Sequence, residues 1–264
     1  MKANFSTKIS SLLKLRVVPV AMALVLGVTT VTAVVQPAPT AQADFVSDLK
    51  CAFLKSYADS SKRSLKQNQN NMEFAFELQL TALKTNWQLQ DAAVTAYRGI
   101  VESTFKANVN AFANRPGIFI KNTEYRDKAT QDYKTTILDA LHTLETNIDT
   151  IRANYRENML ALVLAHQDAL RDLVNELIST IDAALEKAVT NCADKGSAKA
   201  LFDTINAANW KLLSAGVAQE VSDIKAAAKL VHERDAGFIR EKGIYDAASI
   251  KATTELIAAF VTRQ

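Results

Sequence analysis

Seventy-eight consecutive residues, 118–195, contain neither glycine nor proline. Turns draw on those two residues, because Gly supplies positive φ and Pro fixes φ near its turn value. A stretch this long without either has little local chemistry for stopping a helix. The whole chain has only seven Gly and four Pro in 264 residues, against a usual share of roughly one residue in eight. An all-β sandwich or barrel, with a turn every 8–12 residues or so, is excluded on this ground. Collagen-like and low-complexity chains are excluded as well. The expectation is an all-α protein with few interruptions.

Two turn signals divide the chain after its first 43 residues. One is Asn114-Arg115-Pro116-Gly117 and the other is Asp194-Lys195-Gly196-Ser197. They predict helices over about 44–113, 122–194 and 198–262. The middle segment has the clearest period. Its apolar seam runs through Ile137, Leu141, Leu144, Ile148, Ile151, Tyr155, Met159, Val163, His166, Leu170, Val174, Leu177, Ile181, Leu185, Ala188 and Cys192. That is 55 residues in 15 steps, or about 3.67 per step, close to an 11-residue repeat rather than a heptad. About 70 residues at 1.5 Å each span roughly 105 Å, too long to bury a stripe inside a globular core. The fold class expected is therefore an elongated antiparallel bundle of three very long, coiled-coil-like helices forming one domain over 44–264.

The outer segments carry weaker stripes. The first has Phe76, Leu83, Trp87, Val94, Tyr97, Val101, Phe105 and Phe112; the third has Phe202, Ile205, Leu213, Val217, Ile224, Ala228 and Val231. Residues 58–71 offer only Leu65 as a large apolar side chain, which makes them a candidate break in the first helix. Gly243, followed by Ile244, resembles a C-terminal cap and marks a candidate break in the third.

Residues 1–43 read as a secretory signal peptide. Lys2, Lys8, Lys14 and Arg16 precede an uncharged apolar stretch, Val17 to Val35, and Ala41-Gln42-Ala43 supplies small residues at a cleavage site. Ala41 and Ala43 thus mark expected cleavage before Asp44. The alternative is a retained anchor, since the 19 residues at 17–35 approach the ~20 needed to span a bilayer. The expected location is secreted, cell-surface or envelope, periplasm included. The full chain has 31 basic and 28 acidic residues; removing four basic residues leaves 27 against 28, or −1. Lys62, Arg63 and Lys66 are the one local basic cluster and read as a solvated face, so no nucleic-acid partner is expected.

Cys51 and Cys192 are the two cysteines. An exported chain with an even count is expected to pair them; two separate buried thiols are the other reading. A hairpin folded near 114–121 brings them to its open end. With helix ends level at 113 and 123 and both arms fully helical, Cys51 would face residue 185, a mismatch of seven residues or about 10 Å, which a partly extended 58–71 would reduce.

No GxSxG, GxGxxG or Walker-type loop follows the signal segment. His232 begins HERD, which lacks the second His of a zinc-protease motif. Asp139 and His142 share a helix face but have no second copy to complete a di-metal bundle. His166 on the seam reads as a hydrogen-bonded core residue. No catalytic residues, metal, cofactor or small-molecule substrate are expected. Ile118, Phe119 and Ile120 at the hairpin tip read either as a cap packed near Ile257 and Phe260 or as a contact point for a membrane or partner. The functional expectation is an exported, non-catalytic structural or interaction module, with other proteins or copies of itself along its helices as partners. The alternative is a membrane-active or pore-forming protein inserting at the tip.

Overall fold

In the computed structural model, residues 47–113 and 123–261 are described, and they form three α-helices. These are α1 (Ser47–Ala113), α2 (Thr123–Thr190) and α3 (Ser197–Val261). No strand occurs among the described residues. The chain is an all-α antiparallel bundle.

The link between α2 and α3 satisfies its own backbone. Asn191 donates its amide to Lys187 at 3.0 Å, Asp194 to Asn191 at 3.0 Å, and Ala200 to Gly196 at 3.0 Å. The Ser197 hydroxyl donates to the Asp194 carbonyl at 3.1 Å. Orphan groups at two helix ends thus find partners within six residues of chain.

Contacts divide the described residues into two compact units, each drawing on all three helices. One comprises 47–83 and 160–228. Its core joins Leu54, Ala58 and Leu65 of α1 to Ile181, Leu185 and Ala188 of α2 and to Leu201 and Ile205 of α3. A second cluster joins Met72 and Phe76 to Leu170 and Val174. Lys62 reaches Glu186, Gln69 reaches Asn175 and Glu73 accepts from Arg171, so each step forward along α1 is a step back along α2.

The other unit comprises 84–113, 123–159 and 229–261. Phe105 and Val109 pack with Ile137, Leu141 and Leu144, and with Tyr245 and Ala252 of α3. Arg98 makes a two-pronged contact with Asp149, at 2.7 and 2.8 Å. Arg156 does the same to Asp91, at 2.7 and 2.9 Å, and lies over the Trp87 ring. Planar guanidinium forks of this kind fix alignment between helices better than lysines can. Burial pushes the Tyr245 phenol up to about 12.

The α2 seam is as the 3.67-residue period predicts: every member from Ile137 to Cys192 is buried or half-buried. Both candidate helix breaks are corrected. α1 runs unbroken through 58–71. Ala58, Ser61, Leu65 and Met72 are all buried there, at helical spacing, so one narrow stripe suffices where small residues allow close approach. Lys62 and Gln69 add polar contacts to α2 beside it. α3 runs through Gly243. An exposed helical Gly costs about 1 kcal/mol, and burying Tyr245, Ala252 and Leu256 beyond it outweighs that at roughly 1.5–3 kcal/mol per large side chain.

One further correction concerns α3. Ile205 is buried, but Leu213, Val217 and Ile224 of the expected seam face solvent. The face turned to the bundle instead carries Gly216, Asp223, Ala227, Gly237 and Glu241. Small residues there bring α3 close: a Cβ on Gly237 would stand 3.1 Å from Ile151 Cδ1.

Candidate interaction surface

Cys51 and Cys192 form a disulfide with Cα atoms 5.0 Å apart. The expected seven-residue mismatch is absent because the helix ends are not level in register. Counting back 22 residues from Glu73 gives Cys51, and forward 21 from its partner Arg171 gives Cys192. The alignment that pairs Glu73 with Arg171 therefore also faces the cysteines, with α1 helical throughout.

Facing inward, α2 and α3 share a polar cluster. His166 is 1% exposed, and its Nδ1 donates to Asp223 Oδ2 at 2.6 Å. The Asp223 carboxylate also accepts from Gln219 Nε2, at 3.1 Å to each oxygen. Gln167, fully buried beside His166, donates to the Phe76 carbonyl at 3.3 Å and to Gln79 at 2.9 Å. His166 Nε2 and Gln167 Oε1 remain buried without a hydrogen-bond partner. His166 is thus the hydrogen-bonded core residue its seam position predicts. Nothing in the spacing identified Asp223 as its partner, because the two are 57 residues apart.

His142, His232 and Asp139 are exposed. Among the described residues no group of three or more His, Cys, Asp or Glu side chains is placed to hold a metal ion. A shallow groove of about 240 Å³ between α2 and α3 is lined by Leu173, Leu177, Thr180, Thr204 and Ala208, with the Lys211–Glu176 ion pair beside it. Its polar groups are too few and too scattered to converge on a ligand.

Facing outward, α3 carries a row of exposed apolar side chains. Trp210 is 70% exposed, Leu213 40%, Val217 46%, Val221 46% and Ile224 38%. These residues, with Ser214 and Ala228, lie on the side of the helix opposite Leu201, Ile205 and Asp223. Leaving five large apolar side chains in water on four turns of helix forgoes roughly 1.5–3 kcal/mol for each that could be fully covered. Contiguous apolar exposure of this kind marks a contact surface more often than scattered single residues do. The signal was present in the sequence, since Leu213, Val217 and Ile224 stood out as periodic; the side they face did not.

The tip residues Ile118, Phe119 and Ile120 and the cleavage-site residues Ala41 and Ala43 lie outside the described residues. Among the described residues no helix is long and apolar enough to cross a membrane. No family model, no curated protein and no solved structure matches this chain.

Proposed function

We propose that this is an exported, non-catalytic interaction protein that works by laying one helix face against another protein. The observation that carries the reading is the outward apolar row on α3, from Trp210 to Ile224. It is held on a helix fixed from behind by the burial of Leu201 and Ile205 and by the Asp223–His166 contact. A rigid, pre-ordered apolar face loses little conformational entropy when it is covered. The export half of the reading rests on the basic, apolar and small-residue succession of 1–43.

Fractionation of the producing cell, N-terminal sequencing and cross-linking in place test both halves. The expected result is a protein outside the cytoplasm that begins at Asp44 and yields adducts lost in Val217→Glu/Ile224→Glu. A protein retained inside with residues 1–43 attached overturns the export half. Adducts indifferent to the double substitution overturn the interaction half. The membrane-active alternative rests on Ile118, Phe119 and Ile120. It requires dye release from liposomes that is lost when Ile118 and Phe119 become Ser.

A further inference from the structure

We infer that the outward row on α3 pairs with the same row of a second copy of this chain, parallel and in register; this rests on the interaction reading above and names its partner. The spacing within the row carries the inference. Trp210, Val217 and Ile224 recur every seven residues, and Ser214, Val221 and Ala228 recur every seven residues between them, three or four positions away. That is the a/d pattern of a coiled-coil seam over 210–228, with Ser214, Val221 and Ala228 at a and Trp210, Val217 and Ile224 at d. Elsewhere α2 follows an 11-residue period toward its own bundle. A strict heptad on the side facing away from that bundle has no neighbour among the described residues.

Charges beside the seam choose the partner and the direction. Glu220 falls at g and Lys225 at e of the following turn. In parallel, in-register helices a g residue faces the e residue five positions later on the other chain, so Glu220 meets Lys225 of the second copy, twice by symmetry. Among the described residues neither takes part in an ion pair, whereas nearby Lys211 is already paired with Glu176. An antiparallel overlap of the same stretch sets Glu220 near its own copy and Lys225 near Lys211, which is repulsive. The apolar g–e pair completes the match: Leu213 at g faces Ala218 at e. A membrane surface is the poorer occupant, because an interfacial helix borders its apolar face with Lys and Arg on both sides, and here Lys211 and Lys225 border one side while Glu220 is the one charge on the other.

Sedimentation of the purified protein, with its disulfide intact, tests self-pairing. The expected species at tens of micromolar is a dimer, and the dimer dissociates in Val217→Glu/Ile224→Glu, a variant that keeps its helical circular dichroism and, at dilutions where the parent is also monomeric, its thermal midpoint, because both side chains are already partly in water. Glu220→Lys alone and Lys225→Glu alone each weaken association several-fold. An equimolar mixture of those two variants restores it, because only the mixed dimer pairs opposite charges at every position. Direction is read from Ser214→Cys: a disulfide-linked dimer on a non-reducing gel is expected for parallel chains, since position 214 faces itself. A monomer at these concentrations, a dimer unaffected by Val217→Glu/Ile224→Glu, or failure of the mixture to recover, overturns self-pairing. A dimer whose Ser214→Cys variant does not cross-link overturns the parallel register. A monomer whose adducts in the cell still depend on Val217 and Ile224 overturns self-pairing while the broader interaction reading stands; loss of both results overturns both.

Discussion

His166 and Asp223 meet at 2.6 Å in a setting where almost no water reaches either side chain. A buried pair of this sort contributes little net energy compared with apolar residues of the same size, yet breaking it from one side leaves a stranded polar group. Asp223→Ala is therefore expected to cost about 2–4 kcal/mol in urea unfolding. His166→Leu/Asp223→Leu should recover most of that loss. An Asp223→Ala protein as stable as the parent would show that the pair bears no weight in the core.

The Cys51–Cys192 bridge closes a loop with a sequence separation of 141 residues. In the chain-entropy account, a loop of that length stabilises the folded state by roughly 4–5 kcal/mol. Cys51→Ser/Cys192→Ser should lower the unfolding midpoint accordingly, and adding a reductant should then have no further effect on it. An unchanged midpoint would mean that the denatured chain is already constrained without the bridge.

Asp91 is held below the usual carboxylate range, first by hydrogen bonding to Arg156 and then, against some desolvation, by the charges of Arg156 and Arg152. A carboxyl with a lowered folded pKa stabilises the protein above its unfolded value of about 3.9, and that stability is lost as pH falls through the folded value. The carboxylate is half exposed, so its contribution should not exceed about 1 kcal/mol. Parent and Asp91→Asn proteins should differ by a constant amount from pH 7 to 5, and the gap should close as pH falls below the unfolded value and through the lowered folded one. A gap that persists in acid would assign the effect to packing rather than charge.

Two glycines of α3 offer an internal comparison. A Cβ on Gly243 would meet nothing within 4 Å, whereas one on Gly237 would stand 3.1 Å from Ile151 Cδ1. Gly243→Ala should stabilise by about 0.5–1 kcal/mol through helix propensity and a less flexible denatured chain. Gly237→Ala should gain less, because Ile151 must shift by a few tenths of an ångström. Thermal unfolding of the two variants side by side checks the order.

Helix number, the link at 191–196 and the α2 seam were legible because they depend on local signals: breakers, and a period sustained over 55 residues; the turn signal at 114–117 lies outside the described residues. The disulfide was legible from cysteine count and the expected environment; its register was not, since that depends on forks such as Arg171–Glu73 between distant segments. α3 misled in a specific way. Over 210–224 its largest apolar side chains point outward, while Gly216 and Asp223, and further on Gly237 and Glu241, face the bundle. A rule that turns large apolar residues inward selects the wrong side of such a helix. Close backbone approach and buried hydrogen bonds, such as Asn147 donating to Glu241 at 2.7 Å, hold the correct side in place. Neither leaves a periodic mark.

The chain has two tryptophans, and their surroundings make them distinguishable by light. Trp87 is half-buried with the Arg156 guanidinium over its ring, whereas Trp210 stands largely in water. An aqueous quencher therefore reads Trp210 first, and any body that settles on the outer side of α3 shifts its emission to the blue and shields it. Dilution of the unlabelled protein, followed by intrinsic fluorescence alone, becomes a titration of whatever covers that face.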